Sequence, residues 1–196
     1  GGRVVRPEGE AVARCTNIAC PAQLFEHVLH FAGRGAMDIE GLGAAVSMEL
    51  LKRDIIRDVG GIYYLTREDL LTLEHFADKA AQNLLNAVET SKSRPLSRFL
   101  FALGIRHVGS HVADVLAKNF SSIGSLQEAT YEELTQIPEV GPRIAESIVS
   151  FFKEERNLRV LEKLRRSGVM MEEALKSEAP QKLEGLTFVL TGGLSS

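Results

Sequence analysis

The 196-residue sequence has no tryptophan, and aromatic residues make up only 6% of it. Its hydrophobic fraction is nevertheless 44%, so the core must be built mainly from aliphatic side chains packed between helices. Only two cysteines are present, which excludes a disulfide-stapled secreted fold for a chain of this size. The formal net charge of −3 argues against binding nucleic acid through bulk positive charge, but it leaves binding through backbone amides open.

Long apolar runs and common catalytic motifs are also missing. No stretch approaches the roughly 20 apolar residues that cross a membrane, and no secretory leader is recognisable. The sequence contains no nucleophile elbow, Walker loop or dinucleotide fingerprint. Its five histidines are scattered without a cysteine or carboxylate cluster, so we expect them to have surface or capping roles. We therefore predict no catalytic residues in this chain.

One short pattern occurs four times. Residues 137–141 read Ile-Pro-Glu-Val-Gly and are followed by an amphipathic helix that begins with Pro142, a residue that suits the first helical turn. Comparable segments lie at 39–43, 73–77 and 105–109, and we number the four as hairpins 1 to 4 in chain order. Their nearly constant spacing indicates a repeated structural unit. The pattern predicts a mainly α fold made of four helix-hairpin-helix repeats.

The helices that follow the hairpins share one register. Counted from the last hairpin residue, the third position is apolar in every copy: Val46, Ala80, Val112 and Ile144. The seventh position is apolar as well: Leu50, Leu84, Leu116 and Ile148. Residues three and four apart lie on one face of a helix, so we expect these positions to face a common core.

The hairpins are also the candidate binding site. Each leads into a helix N-terminus, whose unpaired N–H groups and partial positive charge suit a phosphate, and a glycine there allows a positive φ or a close approach by another molecule. Such contacts hold a nucleic-acid backbone without reading its sequence. The residues expected to contact DNA are Gly41, Gly43, Lys79, Val108, Gly109, Ser110, Val140, Gly141 and Arg143. Because Ala77 replaces the glycine in hairpin 2, we expect that hairpin to be mainly a packing element.

An alternative is that each unit is only a pair of packed helices joined by a short turn, with no role in binding DNA. Four copies in register, three of them with glycine at the last hairpin position, favour DNA binding instead. The last predicted helix, at about 156–167, carries a basic stripe, which we interpret as a solvated face. Residues 121–125 are predicted to be a loop, and residues 58–61 a break between helices.

Both ends of the chain suggest further domains. Cys15 and Cys20 lie in a turn before a proline, which fits half of a four-thiolate zinc site, although a redox pair or chance spacing stays open. Residues 173–182 are polar and are predicted to be a linker, and residues 183–196 begin with a strand-like apolar run. We interpret the chain as part of a longer protein.

The order of these parts resembles the bacterial NAD-dependent DNA ligases. Residues 14–23 resemble the second half of that family's four-cysteine zinc finger, and residues 37–43 and 102–109 resemble its first and third hairpins. Residues 183–192 resemble the opening of its BRCT domain. The resemblance implies a compact helical DNA-binding domain over residues 24–172. It also implies a zinc-finger remnant at 1–23 and a truncated BRCT strand in 183–196.

The resemblance further implies a function. The family seals nicks in duplex DNA in the bacterial cytoplasm, using NAD, Mg and a lysine that carries AMP. The Lys-x-Asp-Gly motif of that chemistry does not occur in this sequence, so this part should neither bind NAD nor ligate. Its implied role is to grip nicked duplex through the minor groove, as a monomer. The implied zinc would be held by Cys15 and Cys20 together with two ligands from upstream.

Two other functional classes remain open on the sequence. One is a non-catalytic DNA-binding module of another repair protein, such as a nuclease subunit. The other is a helix-hairpin-helix glycosylase, which would need a catalytic lysine or aspartate placed after a hairpin beside a base-sized pocket.

Overall fold

The computed structural model describes residues 4–5, 14–15, 20, 23–74 and 76–172. In this part of the chain helices dominate, as predicted. The α-helices are α1 Leu24–Ala32, α2 Ala44–Lys52, α3 Arg67–Leu71, α4 Asp78–Ser91, α5 Leu96–Ala102, α6 Ser110–Asn119, α7 Ile123–Glu128, α8 Tyr131–Gln136, α9 Pro142–Lys153 and α10 Glu155–Arg166. A 3₁₀ helix spans Val59–Tyr64. Two short strands, β1 Val4–Val5 and β2 Arg14–Cys15, pair antiparallel. The proposed linker at 173–182 and the BRCT strand lie outside the described residues.

Each predicted hairpin lies between two helices, so the four-repeat fold is confirmed. Hairpins 1 and 3 follow α1 and α5, and hairpins 2 and 4 follow the short helices α3 and α8. A connecting element separates the two repeats of each half: the 3₁₀ helix in the first half and α7 in the second. The chain therefore forms the same pair of repeats twice.

The predicted register of the core is also confirmed. The seventh-position residues are almost completely buried, with 0% exposure for Leu50 and Leu116 and 1% for Leu84 and Ile148. The third-position residues are half-buried. A continuous hydrophobic core between the helices follows from this repeated placement, with Phe31 and Phe99 fully buried among its aliphatic side chains.

Two arginines join the second half of the chain to the first. Arg94 donates to the Met37 carbonyl at 3.2 Å and to the Asp38 carboxylate at 2.9 Å. Arg98 donates to the Ala36 carbonyl at 2.7 Å. His30 of α1 lies 2.8 Å from the carbonyl of Phe101 in α5. The loop that leads into hairpin 1 is therefore held against the helix that leads into hairpin 3.

The structure corrects two predictions about the segments that connect the helices. The prediction of a loop at 121–125 is wrong, because a reciprocal capping box between Ser122 and Ser125 starts α7 at Ile123. The predicted break at 58–61 becomes the start of the 3₁₀ helix, where the Asp58 side chain accepts from the Gly61 N–H at 2.8 Å. Local side-chain bonds to the backbone thus start helices that are too short to show a hydrophobic period.

The basic stripe of α10 forms ion pairs within the protein. Arg159 and Arg166 each pair with a glutamate one turn earlier in α10, and Lys163 pairs with Asp58 at 3.0 Å. Gly168, with a φ of 87°, follows the helix as a C-terminal stop. These contacts agree with the interpretation of the stripe as a solvated face.

Candidate nucleic-acid interface

Hairpins 1, 3 and 4 reverse direction at their third residue. That residue has a left-handed backbone at Gly41 (φ 92°), His107 (φ 64°) and Glu139 (φ 72°). The glycines at the fifth position are extended instead, with φ of −80° at Gly109 and −77° at Gly141. The expectation that the fifth-position glycine supplies a positive φ is therefore wrong, because that residue already serves as the N-cap of the next helix.

The fifth-position glycines face open space. A Cβ built on Gly43, Gly109 or Gly141 would meet no atom of the described chain within 4 Å. Ala77 holds the same place in hairpin 2 with a similar backbone, at φ −77° and ψ 159°, so the fold accepts a side chain there. Neither backbone strain nor internal packing calls for glycine at these three positions. The second expectation, that another molecule approaches the backbone closely at these glycines, stays a prediction.

The helices that follow the hairpins have no side-chain cap at their N-termini. No side chain caps α2, α4, α6 or α9, and α1 and α5 are also without one. By contrast, α3, α7, α8 and α10 begin with a capping side chain. The first-turn N–H groups of a helix have no intrahelical acceptor. After each hairpin no side-chain cap takes these donors, although in α9 Pro142 has no N–H and the Ile144 N–H donates to the Gly141 carbonyl at 3.0 Å.

Two of the expected contact residues have an internal role. The Val108 N–H donates to the Ile105 carbonyl at 3.0 Å, and the Val140 N–H donates to the Ile137 carbonyl at 3.0 Å. Both valine side chains are buried. These residues hold their hairpins closed, so their N–H groups are already used within the chain.

The polar residues expected at the site are placed where they were predicted. Ser110 and Arg143 are exposed on the first turns of α6 and α9, and Lys79 is exposed on the first turn of α4. Asp78, beside Lys79, pairs with Arg67 at 2.7 Å, and this contact lowers the pKa of the Asp78 carboxyl.

Hairpins 3 and 4 are brought together by a contact that the sequence did not reveal. His111 lies on the first turn of α6, and its Nε2 is 2.5 Å from Oε2 of Glu139 at the tip of hairpin 4. The sequence predicts only a surface or capping role for His111. No sequence signal could have paired these residues, because they are 28 positions apart and belong to different repeats.

In hairpin 1 the residue with the left-handed backbone is a glycine. Gly41 adopts a φ of 92°, and a Cβ there would lie 3.6 Å from the Leu84 Cβ of α4. The positive φ favours glycine here, although His107 and Glu139 also adopt a positive φ at the same position of hairpins 3 and 4. The Gly43 carbonyl accepts from the Ser47 N–H at 2.9 Å, which begins α2 in the same way as the helices after hairpins 3 and 4.

The donor set for zinc is incomplete within this chain. Cys15 ends β2, and Cys20 is 8% exposed. Among the described residues no group of three or more histidine, cysteine or carboxylate side chains is placed to hold a metal. Since the whole sequence has two cysteines, it supplies at most half of a four-thiolate site.

We therefore expect the 196-residue chain to hold zinc poorly. Two ligands leave the metal open to water and to competing chelators. Native mass spectrometry of the purified monomer should show the mass of the protein without zinc after exchange into a volatile buffer. Tightly held stoichiometric zinc in the monomer would contradict this expectation.

Within the part of the chain that the structure describes, no helix is both long and apolar enough to cross a membrane.

Comparisons with known proteins agree with this geometry. Residues 98–161, which include hairpins 3 and 4, match the family model of the helix-hairpin-helix motif. Residues 1–22 match the model of the NAD-dependent DNA ligase C4 zinc finger domain.

Curated relatives match along the whole chain. A DNA ligase of Thermoanaerobacter sp. (strain X514) is 48% identical over 196 residues, and one of Syntrophotalea carbinolica is 51% identical over 196 residues. A DNA ligase of Geobacter sulfurreducens is 45% identical over 195 residues. All three matches cover 100% of this chain but only 29% or 30% of the relative. With the ligase zinc-finger match at one end and full-length coverage throughout, the chain belongs to the NAD-dependent DNA ligase family, in which it corresponds to one segment of a longer protein.

Proposed function

We propose that this segment is the non-catalytic part of a NAD-dependent DNA ligase that grips nicked duplex DNA. It binds backbone phosphates through the minor groove and does not read the base sequence. The observation that carries the proposal is the set of three fifth-position glycines, Gly43, Gly109 and Gly141, which face open space at uncapped helix N-termini. Backbone amides at such a position bind phosphate oxygens without side-chain charge.

Hairpins 3 and 4 form the main grip in this proposal. Gly109 and Ser110 present one set of donors, and Gly141 and Arg143 present the other. His111 at the start of α6 lies 2.5 Å from Glu139 of hairpin 4, so the two sets of donors are neighbours and one duplex can touch both. Because the net charge of the chain is −3, binding depends on these local donors rather than on a general attraction to DNA.

Hairpins 1 and 2 contribute unequally. Hairpin 1 has the open glycine Gly43 and serves as a third gripping point. Hairpin 2 has Ala77 at that position, so a phosphate approaches its backbone less closely. We assign hairpin 2 mainly to packing, with Lys79 adding charge beside the duplex.

The chemistry of ligation belongs to the rest of the parent protein. Adenylylation of a lysine by NAD, the use of Mg and the sealing of the nick are proposed for the complete enzyme in the bacterial cytoplasm. The present sequence has no Lys-x-Asp-Gly motif. Zinc is proposed for the complete zinc finger, with Cys15 and Cys20 as two of its ligands.

The alternatives receive less support. A glycosylase needs a base-sized pocket beside a hairpin, but two surface grooves of about 500 and 430 Å³ are lined by no hairpin residue. A module of a nuclease subunit shares the helix-hairpin-helix motif. It would not account for the match of residues 1–22 to the ligase zinc finger.

A salt series tests the proposal. We expect the chain, as a monomer, to bind a labelled nicked duplex with micromolar or weaker affinity and to bind a second duplex of unrelated sequence within about twofold. If the cations Lys79 and Arg143 each neutralise about one phosphate, log Kobs should fall with log salt with a slope of about −2. Fluorescence anisotropy measures both quantities. A flat salt dependence, a strong sequence preference or no binding at low salt would each contradict the proposal.

A further inference from the structure

The contact between His111 and Glu139 lies between the two hairpins to which we assign the main grip. Glu139 belongs to the tip of hairpin 4, and His111 follows hairpin 3 at the start of α6. Their side chains are 56% and 71% exposed, so both are open to a molecule arriving from solvent. A carboxylate in this place is unexpected for a DNA-binding surface, because it repels phosphate.

The backbone of Glu139 is also unusual. Its φ of 72° lies in the left-handed region that residues with a Cβ rarely adopt. Hairpin 1 has Gly41 at the same position, with a φ of 92°, so a glycine is compatible with this turn. The turn sets this backbone, since His107 adopts a φ of 64° at the same position of hairpin 3. The feature that calls for a functional explanation is the carboxylate, which repels the proposed ligand.

We propose that Glu139 is an internal competitor of the DNA backbone. In the free protein its carboxylate accepts from His111, and when the duplex binds, a backbone phosphate replaces the carboxylate on His111. No covalent bond forms or breaks in this exchange, since one anionic oxygen acceptor takes the place of another. The inference deepens the proposed function and rests on it, because it assigns a regulatory contact to the same hairpins.

The exchange has a physical basis in the exposure of the pair. Ion pairs in contact with water contribute little to stability, so the Glu139 carboxylate can leave His111 without destabilising the fold. A phosphate oxygen accepts from the same ring nitrogen that now donates to Glu139. The competitor therefore weakens binding of DNA in general and favours a duplex whose phosphates reach hairpins 3 and 4 together.

Glu139→Gln is the direct test, because it removes the charge and keeps the size and the backbone conformation. We expect E139Q to bind the nicked duplex about three- to tenfold more tightly at low salt, and H111A to bind it more weakly. In the H111A background the gain in affinity from E139Q should shrink to less than about twofold, because the histidine that E139Q would free for the phosphate is missing. Anisotropy titrations of the wild type, both single variants and the double variant form a double-mutant cycle that measures this coupling.

Glu155→Gln is the matched control. The Glu155–Arg159 pair on α10 is similarly exposed, at 77% and 70%, and it lies outside the hairpins. E155Q makes the same change in net charge, so it should alter affinity by less than about twofold. Thermal unfolding of all variants should stay within about 2 °C of the wild type, as expected for exposed pairs.

The other outcomes overturn the inference. An equal gain from E139Q with and without His111 would mean simple repulsion, without competition for the histidine. A loss of affinity in E139Q would mean that the pair locks the hairpins in a binding geometry. The failure of the proposed function itself is distinguishable, since the wild type would then not bind DNA, or it would bind equally well after both Gly109 and Gly141 were replaced by valine.

Discussion

Replacing both Gly109 and Gly141 by valine should weaken binding of nicked duplex DNA at least about 100-fold. Each new side chain would project into the open space in front of its hairpin, where no atom of the described chain lies within 4 Å of the Cβ position. In the proposed complex that space belongs to the DNA backbone. Each substitution should remove one set of amide contacts worth about 1.4 kcal/mol or more, which is a tenfold loss of affinity. Two such losses together give about 100-fold.

The same substitutions should leave the fold intact. The extended backbone of Gly109 and Gly141, with ψ of 178° and 171°, is favourable for valine. Ala77 shows that a Cβ is accepted at the equivalent place in hairpin 2. Valine is a poorer N-cap residue than glycine, by about 1 kcal/mol per site, so a modest fall in melting temperature is expected together with the loss of binding.

Ala77→Val supplies the matched control, because it enlarges the side chain at the same position of a hairpin assigned to packing. We expect it to change DNA affinity by less than about threefold. Anisotropy with nicked duplex measures binding, and circular dichroism confirms that the helices are retained. Unchanged affinity in the double glycine variant would mean that the hairpins are not the DNA contacts. A large loss in A77V would show that hairpin 2 also grips the duplex.

The repeats could be read from the sequence because their signal is periodic. The apolar residues at the seventh position, such as Leu50 and Leu116, recur at nearly constant spacing, and the structure buries them completely. Periodic burial is the strongest structural information in a single sequence. The four hairpins, their order and the core-facing side of each following helix were therefore predictable.

The details of the site could not be predicted from the sequence, because they depend on turn conformation and on how the repeats pack. The left-handed residues of hairpins 3 and 4 were not identified, because His107 and Glu139 hold a position that is usually marked by glycine. The internal use of the Val108 N–H depends on the exact closure of the turn, which residue types alone do not specify. The His111–Glu139 contact joins two repeats, and only the packed arrangement of those repeats reveals it.

The largest effect on stability is expected from truncating a seventh-position residue. Leu116 of α6 is 0% exposed, so Leu116→Ala removes buried methyl groups and leaves a cavity. Substitutions of this kind destabilise proteins by about 3–5 kcal/mol, a large share of the 5–15 kcal/mol typical of a domain. Val112→Ala, at the half-buried third position of the same helix, should cost about 1 kcal/mol. Urea unfolding followed by circular dichroism measures both, and equal losses would contradict the assigned register.

Leu50→Ala in the first half of the chain should behave like Leu116→Ala in the second. Leu50 is equally buried, and Arg94 and Arg98 bond the loop before hairpin 1 to the second half. The two halves should therefore unfold together, so each variant should give one transition with the midpoint lowered and the slope unchanged. A biphasic transition in Leu50→Ala alone would mean that the two pairs of repeats are independent. The arginine contacts would then orient the hairpins without making the fold cooperative.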